Sequence, residues 1–79
     1  MNVKYQVNLH LIKQQRLELH LSLGDMTEAL GLQSADQYLR RETGEYNFKA
    51  TELPVLSRVL KIPLEHLYTQ NVVKIAKGD

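Results

Sequence analysis

A chain of 79 residues has room for one domain only. Its hydrophobic core is close to the smallest size that folds stably without disulfides or metal ions. The absence of cysteine excludes disulfides and thiolate metal sites, and no apolar run approaches the roughly 18 residues of a membrane helix. The net charge of +1 gives no general preference for nucleic acid, so any DNA binding must come from a local surface. We expect a soluble, cytoplasmic protein whose start, MNVKYQVN, is not a signal peptide.

A first helix is predicted from Asn8 to His20, where apolar residues recur at helical spacing, with Arg16 on the same face. The terminal segments instead alternate apolar with polar residues, which predicts strands. The alternating positions are Val3, Tyr5, Val7, Val73 and Ile75. These segments are expected either to pair, within one chain or across a dimer, or to be frayed tails.

Two short capped helices follow the first one. Ser22 is a good N-cap, with Asp25 three positions on in the place of a capping box, and Gly31 ends this second helix. Ser34 is the next N-cap, and Gly44 stops the third helix after Thr43. Two capped helices joined by a short turn around a glycine are typical of a helix-turn-helix.

A fourth and a fifth helix are predicted between residues 51 and 68. Thr51 is expected to cap the fourth helix, with Pro54 in its first turn, where proline loses no hydrogen bond. Pro63 is expected to open the fifth, whose apolar side is formed by Leu64, Leu67 and Tyr68. The predicted fold is one all-α domain over residues 1–79, with a helical core at about 8–68 and terminal segments at 1–7 and 69–79.

From about Ile12 to Tyr68 the chain resembles the phage-repressor family of helix-turn-helix regulators (Cro/cI-like, also called XRE). The stretches that carry the resemblance are IKQQR, LS followed by EALGL, RETGEYNF and LPVLSRVLKIPLEHLY. GEYNFKA and the ending YTQNVVKIAKG resemble small regulators of phages and mobile elements in Gram-positive bacteria. The resemblance implies a compact five-helix, lambda-repressor-like domain without enzymatic activity. It also implies sequence-specific binding of double-stranded DNA, usually as a homodimer on an inverted repeat.

The resemblance assigns a structural ion pair to Arg16 and Glu42, with the arginine often near a phosphate as well. Such a pair is physically sensible, because an unpaired buried charge is very unfavourable. His20 stands where the family often has glycine, and Leu23 where it often has a phosphate-binding glutamine. Arg41 falls where many members have a buried aliphatic residue. Either its stem packs while its head reaches solvent or DNA, or the third helix is rotated relative to this alignment.

A third helix in the major groove would face base edges with its first turn. The expected base-reading residues are Ala35, Asp36, Gln37, Arg40 and Arg41. Gln37 can pair with adenine and Arg40 with guanine, while Asp36 can accept from cytosine or orient a neighbouring arginine. Tyr38 and Leu39 are expected to anchor the helix to the core, with at most one of them partly exposed.

Polar residues around this helix are expected to contact phosphates, which sets register rather than sequence preference. They are Arg16, Ser22, Gln33, Thr43, Tyr46, Asn47 and Lys49. The leading interpretation is a transcriptional regulator, most simply a repressor, that dimerises through the fifth helix or the terminal strands. The alternative is a protein-interaction module on the same fold: an antitoxin, an antirepressor or an inhibitor of another complex. Leu23, Asp36 and the near-zero net charge favour this alternative.

No pattern in the sequence points to catalysis. The three histidines share no metal-ligand spacing with one another or with carboxylates, and there is no nucleophile elbow or phosphate-cradling glycine loop. We therefore expect no catalytic or metal site, no cofactor and no small-molecule substrate.

Overall fold

The computed structural model describes residues 2–73, in which four α-helices and a short 3-10 helix outweigh one small sheet. In chain order the elements are β1 (Asn2–Val7), α1 (Leu9–Glu18), α2 (Leu23–Leu30), α3 (Ala35–Glu42), α4 (Leu53–Leu60), the 3-10 helix (Leu64–Leu67) and β2 (Tyr68–Val73). The mostly helical character agrees with the predicted all-α class. None of the helices in this part of the chain is long and apolar enough to cross a membrane.

Helices α2 and α3 begin at the predicted caps, and α1 begins directly after Asn8, the residue from which it was predicted. The side chain of Asn8 accepts from the amide three residues on, and that of Ser34 does the same at α3. At α2 the capping box is complete, because the Ser22 hydroxyl accepts from the Asp25 amide while the Asp25 carboxylate accepts from the Ser22 amide. These bonds satisfy amides that have no partner within the helix.

The capping box gives the stability of α2 a predictable dependence on pH. Hydrogen bonds from the Ser22 backbone and hydroxyl hold the pKa of the Asp25 carboxyl below its usual value. A carboxyl of this kind stabilises the fold above its unfolded pKa of about 3.9, and the stabilisation is lost as the pH falls through the lower folded pKa. In Asp25→Asn the melting temperature should therefore be lower than in the wild type at pH 7. Circular dichroism should show this gap closing below about pH 4, and a gap that stays constant down to pH 2 would contradict the assignment.

Each α-helix is followed within two residues by a left-handed backbone conformation. The residues are Gly31 after α2 (φ 69°), Gly44 after α3 (φ 91°), His20 after α1 (φ 58°) and Lys61 after α4 (φ 58°). Glycine adopts this conformation without strain, whereas other residues do so at some cost in free energy. His20 therefore lies at a position where glycine would adopt the backbone conformation at lower cost. Glycine is also the residue that the family resemblance predicts at this position.

The start of α4 differs from the prediction. Glu52, not Thr51, is the N-cap residue, and its side chain makes no capping bond to the helix. The Glu52 carboxylate instead accepts from Arg41 Nε and from the Lys49 amide, both at 2.9 Å. Pro54 does lie in the first turn, as expected.

The predicted fifth α-helix is wrong. After Pro63 the chain makes only one short 3-10 helix, Leu64–Leu67, with the His66 amide bonded to the Pro63 carbonyl. Tyr68 already belongs to β2, where it pairs with Val7. Strand pairing therefore ends the helix before it completes a second turn. Of the three residues predicted to form its apolar side, only Leu67 is buried.

The two terminal segments pair within one chain. Strands β1 and β2 are antiparallel, in a register that runs from Asn2 opposite Val73 to Val7 opposite Tyr68. A bond of 2.7 Å from the Asn8 amide to the Leu67 carbonyl continues the pairing into the helical body. The expected alternation at Ile75 lies outside the described residues.

The core lies between the helices and draws on each of them. Its buried apolar residues are Ile12, Met26, Tyr38, Phe48, Leu53, Leu56, Leu60, Ile62 and Leu67. Tyr38 and Phe48 meet edge to face with their ring centroids 6.1 Å apart, an arrangement favoured by the charge distribution of aromatic rings. Phe48 thus ties the loop after α3 to the core, and this holds α3 in place.

Candidate nucleic-acid interface

Helices α2 and α3 pack together as one unit and are joined by a four-residue turn, residues 31–34. Gly31 reverses the chain in its left-handed conformation, and the Gly31 and Leu32 amides bond back to carbonyls of α2 at 3.1 and 2.9 Å. The Gln33 amide donates to the Gln37 side-chain oxygen at 3.0 Å. The amides from Gly31 to Gln33 are therefore satisfied inside the unit, so the turn has a defined shape.

The inner face of α3 is anchored to α1 by the predicted ion pair of Arg16 and Glu42. Arg16 Nε and Nη2 donate to the two Glu42 oxygens at 2.9 and 3.0 Å, and Arg16 Nη1 donates to the Leu21 carbonyl at 3.0 Å. The Tyr38 hydroxyl donates to the same carboxylate at 2.6 Å. The hydrogen bonds that Arg16 donates to Glu42 raise the pKa of Arg16. Burial, and after it the hydrogen bond that Tyr38 donates to Glu42, raises the pKa of Tyr38 well above its usual range.

The structure places Arg16 poorly for the predicted contact with a phosphate. The side chains of Arg16 and Glu42 are only 9% and 2% exposed, and all three guanidinium nitrogens have partners inside the protein. A phosphate could reach Arg16 only by displacing Glu42 or the Leu21 carbonyl. Arg16 is therefore a structural residue that fixes α3 on α1.

Arg41 is poorly placed for the predicted base reading, because its side chain is only 10% exposed and two of its three guanidinium nitrogens bond within the protein. Arg41 Nε donates to Glu52 Oε1 at 2.9 Å, and Nη1 donates to the Gln37 carbonyl at 3.1 Å. The stem packs, as the first of the two sequence alternatives supposed, but the head pairs with Glu52. Sequence reasoning missed this partner, since no fixed spacing marks two residues that lie 11 positions apart and pair across a loop.

The opposite side of α3 stays exposed or half-exposed, and we call it the outer face. It consists of Ala35, Asp36, Leu39, Arg40 and Thr43. Leu39 was expected to anchor the helix to the core, yet it is 40% exposed, while Tyr38 is fully buried. Helical spacing from Ala35 and Asp36 was the signal that could have placed Leu39 on this face.

Arg40 is held on the outer face by three neighbours. Its Nε donates to Asp36 Oδ2 at 2.7 Å, its Nη1 donates to the Glu45 carboxylate, and its guanidinium lies over the Tyr46 ring at 5.7 Å. The Asp36 hydrogen bond and the two negative charges raise the pKa of Arg40. Arg40 Nη2 makes no hydrogen bond within residues 2–73, so one edge of a positioned guanidinium remains available.

Gln37 is less well placed for adenine than the sequence indicated. Its side-chain oxygen already accepts from the Gln33 amide, and bidentate pairing with adenine needs that oxygen as an acceptor. The remaining predicted phosphate contacts lie at the surface of the molecule. They are Ser22, Gln33, Thr43, Tyr46, Asn47 and Lys49. The Ser22 and Thr43 hydroxyls also bond within the protein, to the Asp25 amide and the Arg40 carbonyl.

The surface charge of this unit is acidic on balance. From Ser22 to Lys49, apart from Glu42 and Arg41 in their buried ion pairs, there are four carboxylates against the two cations Arg40 and Lys49. The carboxylates are Asp25, Glu28, Asp36 and Glu45. Two of them bond to Arg40 and therefore offset its charge. The exposed charges of the unit therefore give it no general attraction for a polyanion.

An open groove of about 370 Å³ lies between the turn and the loop after α3, and we call it the turn groove. Its lining residues are Gly31, Leu32, Gln33, Gln37, Arg41, Tyr46 and Lys49. Across residues 2–73 no group of three or more His, Asp or Glu side chains is arranged to hold a metal ion. Comparisons with protein-family models, with curated proteins and with solved structures found no match to this chain.

Proposed function

We propose that this protein is a DNA-binding transcriptional regulator, most simply a repressor, which places α3 in the major groove. The observation that carries the proposal is the division of α3 into two faces. Its inner face is fixed by the Arg16–Glu42 and Arg41–Glu52 pairs, whereas its outer face stays at the surface. Helix-turn-helix proteins read base edges with a helix that is fixed on the core and preceded by a short, well-defined turn. We assign the domain to the lambda-repressor-like class, with a 3-10 helix in place of the fifth α-helix.

Arg40 is the residue best suited to read a base. Asp36 orients the Arg40 side chain before DNA binds. Arg40 therefore loses fewer conformations on binding, which lowers the entropic cost of the contact. A guanidinium edge presented to guanine can reach its N7 and O6 atoms. Leu39 and Ala35 are the outer-face residues able to contact a thymine methyl group.

A homodimer on an inverted repeat is part of the proposal. One α3 helix offers few base contacts, and two of them joined in a dimer roughly add their binding free energies, less the cost of assembly. A dimer bound over a promoter would repress transcription by excluding RNA polymerase.

The salt dependence of duplex binding tests the proposal. Neutralising a phosphate releases counterions, so log K against log salt has a slope of about −0.9 per phosphate, or near −2 for a dimer that neutralises one phosphate per protomer. Fluorescence anisotropy with a labelled duplex, at several salt concentrations around 0.15 M, should give a slope at least this steep. An affinity that is absent or indifferent to salt would overturn the proposal.

A second candidate function is a protein-interaction module, and the surface charge is the observation that favours it. The four carboxylates outweigh the two cations around α3, and both Leu39 and Tyr46 are partly exposed apolar groups. An outer face of this composition fits a protein partner, whose contacts depend less on salt than contacts with DNA. The same titration therefore separates the two functions.

A further inference from the structure

We infer that the turn groove is an anion site that seats one phosphodiester of the DNA backbone, with Arg41 and Lys49 as its two cations. This inference deepens the proposed function and rests on it for the source of the phosphate. It gives Arg41 a role other than the base reading that its sequence position indicated. It also identifies which of the candidate phosphate donors act together.

The orientation of Arg41 makes its buried position compatible with an anion. Arg41 Nε donates to Glu52 and Arg41 Nη1 donates to the Gln37 carbonyl, while Arg41 Nη2 has no hydrogen bond among the described residues. Since no buried side-chain nitrogen or oxygen in that part of the chain lacks a partner, Nη2 must lie where solvent reaches it. Arg41 lines the turn groove, whereas Glu52 does not. The cation therefore faces the groove, and the carboxylate that balances it lies behind.

The remaining lining supplies donors suited to phosphate oxygens. Lys49 is exposed, and its backbone is fixed because its amide donates to the same Glu52 oxygen that holds Arg41. Gln33, Gln37 and Tyr46 add amide and hydroxyl donors. None of the lining residues is a carboxylate, and the nearby acids Asp36 and Glu45 bond to Arg40 instead. A tetrahedral anion in the groove thus meets two cations, and the Glu52 carboxylate that pairs with Arg41 does not line the groove.

The position of the turn groove links it to base reading. Tyr46 lines the groove, and its ring also lies beneath the Arg40 guanidinium. A backbone phosphate seated there would set the distance from the backbone to Arg40, and hence the register of α3 on the bases. Contacts in the turn groove would contribute equally to the affinity for every DNA sequence, whereas Arg40 would distinguish one DNA sequence from another.

The first arm of the test needs no DNA. Inorganic phosphate is titrated into the ¹⁵N-labelled protein at constant ionic strength, with chloride as the balancing anion. Saturable shifts are expected at the amides of residues 31–33, at Lys49 and at Arg41 Nε–H, and they should be lost in Lys49→Gln. Lys13→Gln is the matched control, because it removes an exposed lysine of α1 outside the groove. Shifts spread evenly over surface lysines, or unchanged in Lys49→Gln, would overturn the anion site.

The second variant tests Arg41 without leaving a buried charge unpaired. In Arg41→Met/Glu52→Gln the amide oxygen of Gln can still accept from the Lys49 amide, so the loop keeps its bond. Phosphate shifts at residues 31–33 should weaken in this variant, and thermal unfolding checks that it is folded. Undiminished shifts in the folded variant would remove Arg41 from the site.

The second arm uses the DNA duplex and distinguishes this inference from the proposed function. Lys49→Gln should reduce the salt slope by about 0.9 per protomer and weaken binding equally for all sequences, while Lys13→Gln should change neither. DNA binding with an unchanged slope in Lys49→Gln would overturn the inference and leave the proposed function standing. Phosphate binding in the groove without any duplex binding would overturn DNA as the source of the phosphate, and the proposed function with it.

Discussion

Replacing Glu42 by alanine should lower the free energy of unfolding by about 3–5 kcal/mol, because it leaves Arg16 buried without its partner. The same change removes the acceptor of the buried Tyr38 hydroxyl. A domain of 79 residues has a total stability of roughly 4–12 kcal/mol, so this single substitution should leave it barely folded or unfolded. Urea unfolding followed by circular dichroism measures the effect.

Two controls show whether the loss comes from the buried pair. Glu28→Ala removes an exposed carboxylate of α2 and should change stability by no more than about 0.5 kcal/mol. Arg16→Met/Glu42→Gln removes both charges, keeps an acceptor for Tyr38 and should be less destabilising than Glu42→Ala. If Glu42→Ala were as mild as Glu28→Ala, the pair would not be what holds α3 on α1.

Arg40→Ala should weaken binding to a selected operator by about 1–3 kcal/mol, or roughly fivefold to 140-fold. The reason is the loss of a guanidinium that Asp36 and Tyr46 hold in position at the outer face. The variant should also lose discrimination at one base pair of each half-site, because a bidentate contact to guanine distinguishes it from other bases. Anisotropy titrations with the operator and its single-base variants measure both effects.

Arg58→Ala is the matched control for this substitution. Arg58 is exposed on α4, so the variant loses the same charge at a site away from the outer face of α3. It should keep the base preference of the wild type. If Arg40→Ala weakened all sequences equally, Arg40 would contact a phosphate and would not read a base.

Features that depend on neighbours in sequence could be predicted from the sequence. Examples are the capping box of Ser22 and Asp25 and the turn at Gly31. Each depends on residues within about four positions of each other, so a short stretch of sequence is enough to predict it. The Arg16–Glu42 pair spans 26 residues, and it was predicted from the family resemblance rather than from spacing.

The errors arose where distant partners decide the structure. Pro63 marked the start of a helix correctly, but pairing of Tyr68 with Val7 ended that helix after one turn. Arg41 has both an apolar stem and a charged head, so its side of the helix depended on Glu52, whose position relative to α3 no local pattern encodes. Tyr38 and Leu39 were both expected to anchor α3, and the structure makes Leu39 the partly exposed residue of the two.

The most direct test is selection from a random pool of DNA duplexes with purified protein at about 0.15 M salt, with the variant Gln37→Ala/Arg40→Ala alongside. We expect the wild type to enrich an inverted repeat whose half-sites lie about one helical turn, or a multiple of it, apart. The variant should lose or change this preference. No enrichment by the folded wild-type protein would contradict operator binding, and the outer face of α3 would then be read as a surface for a protein partner.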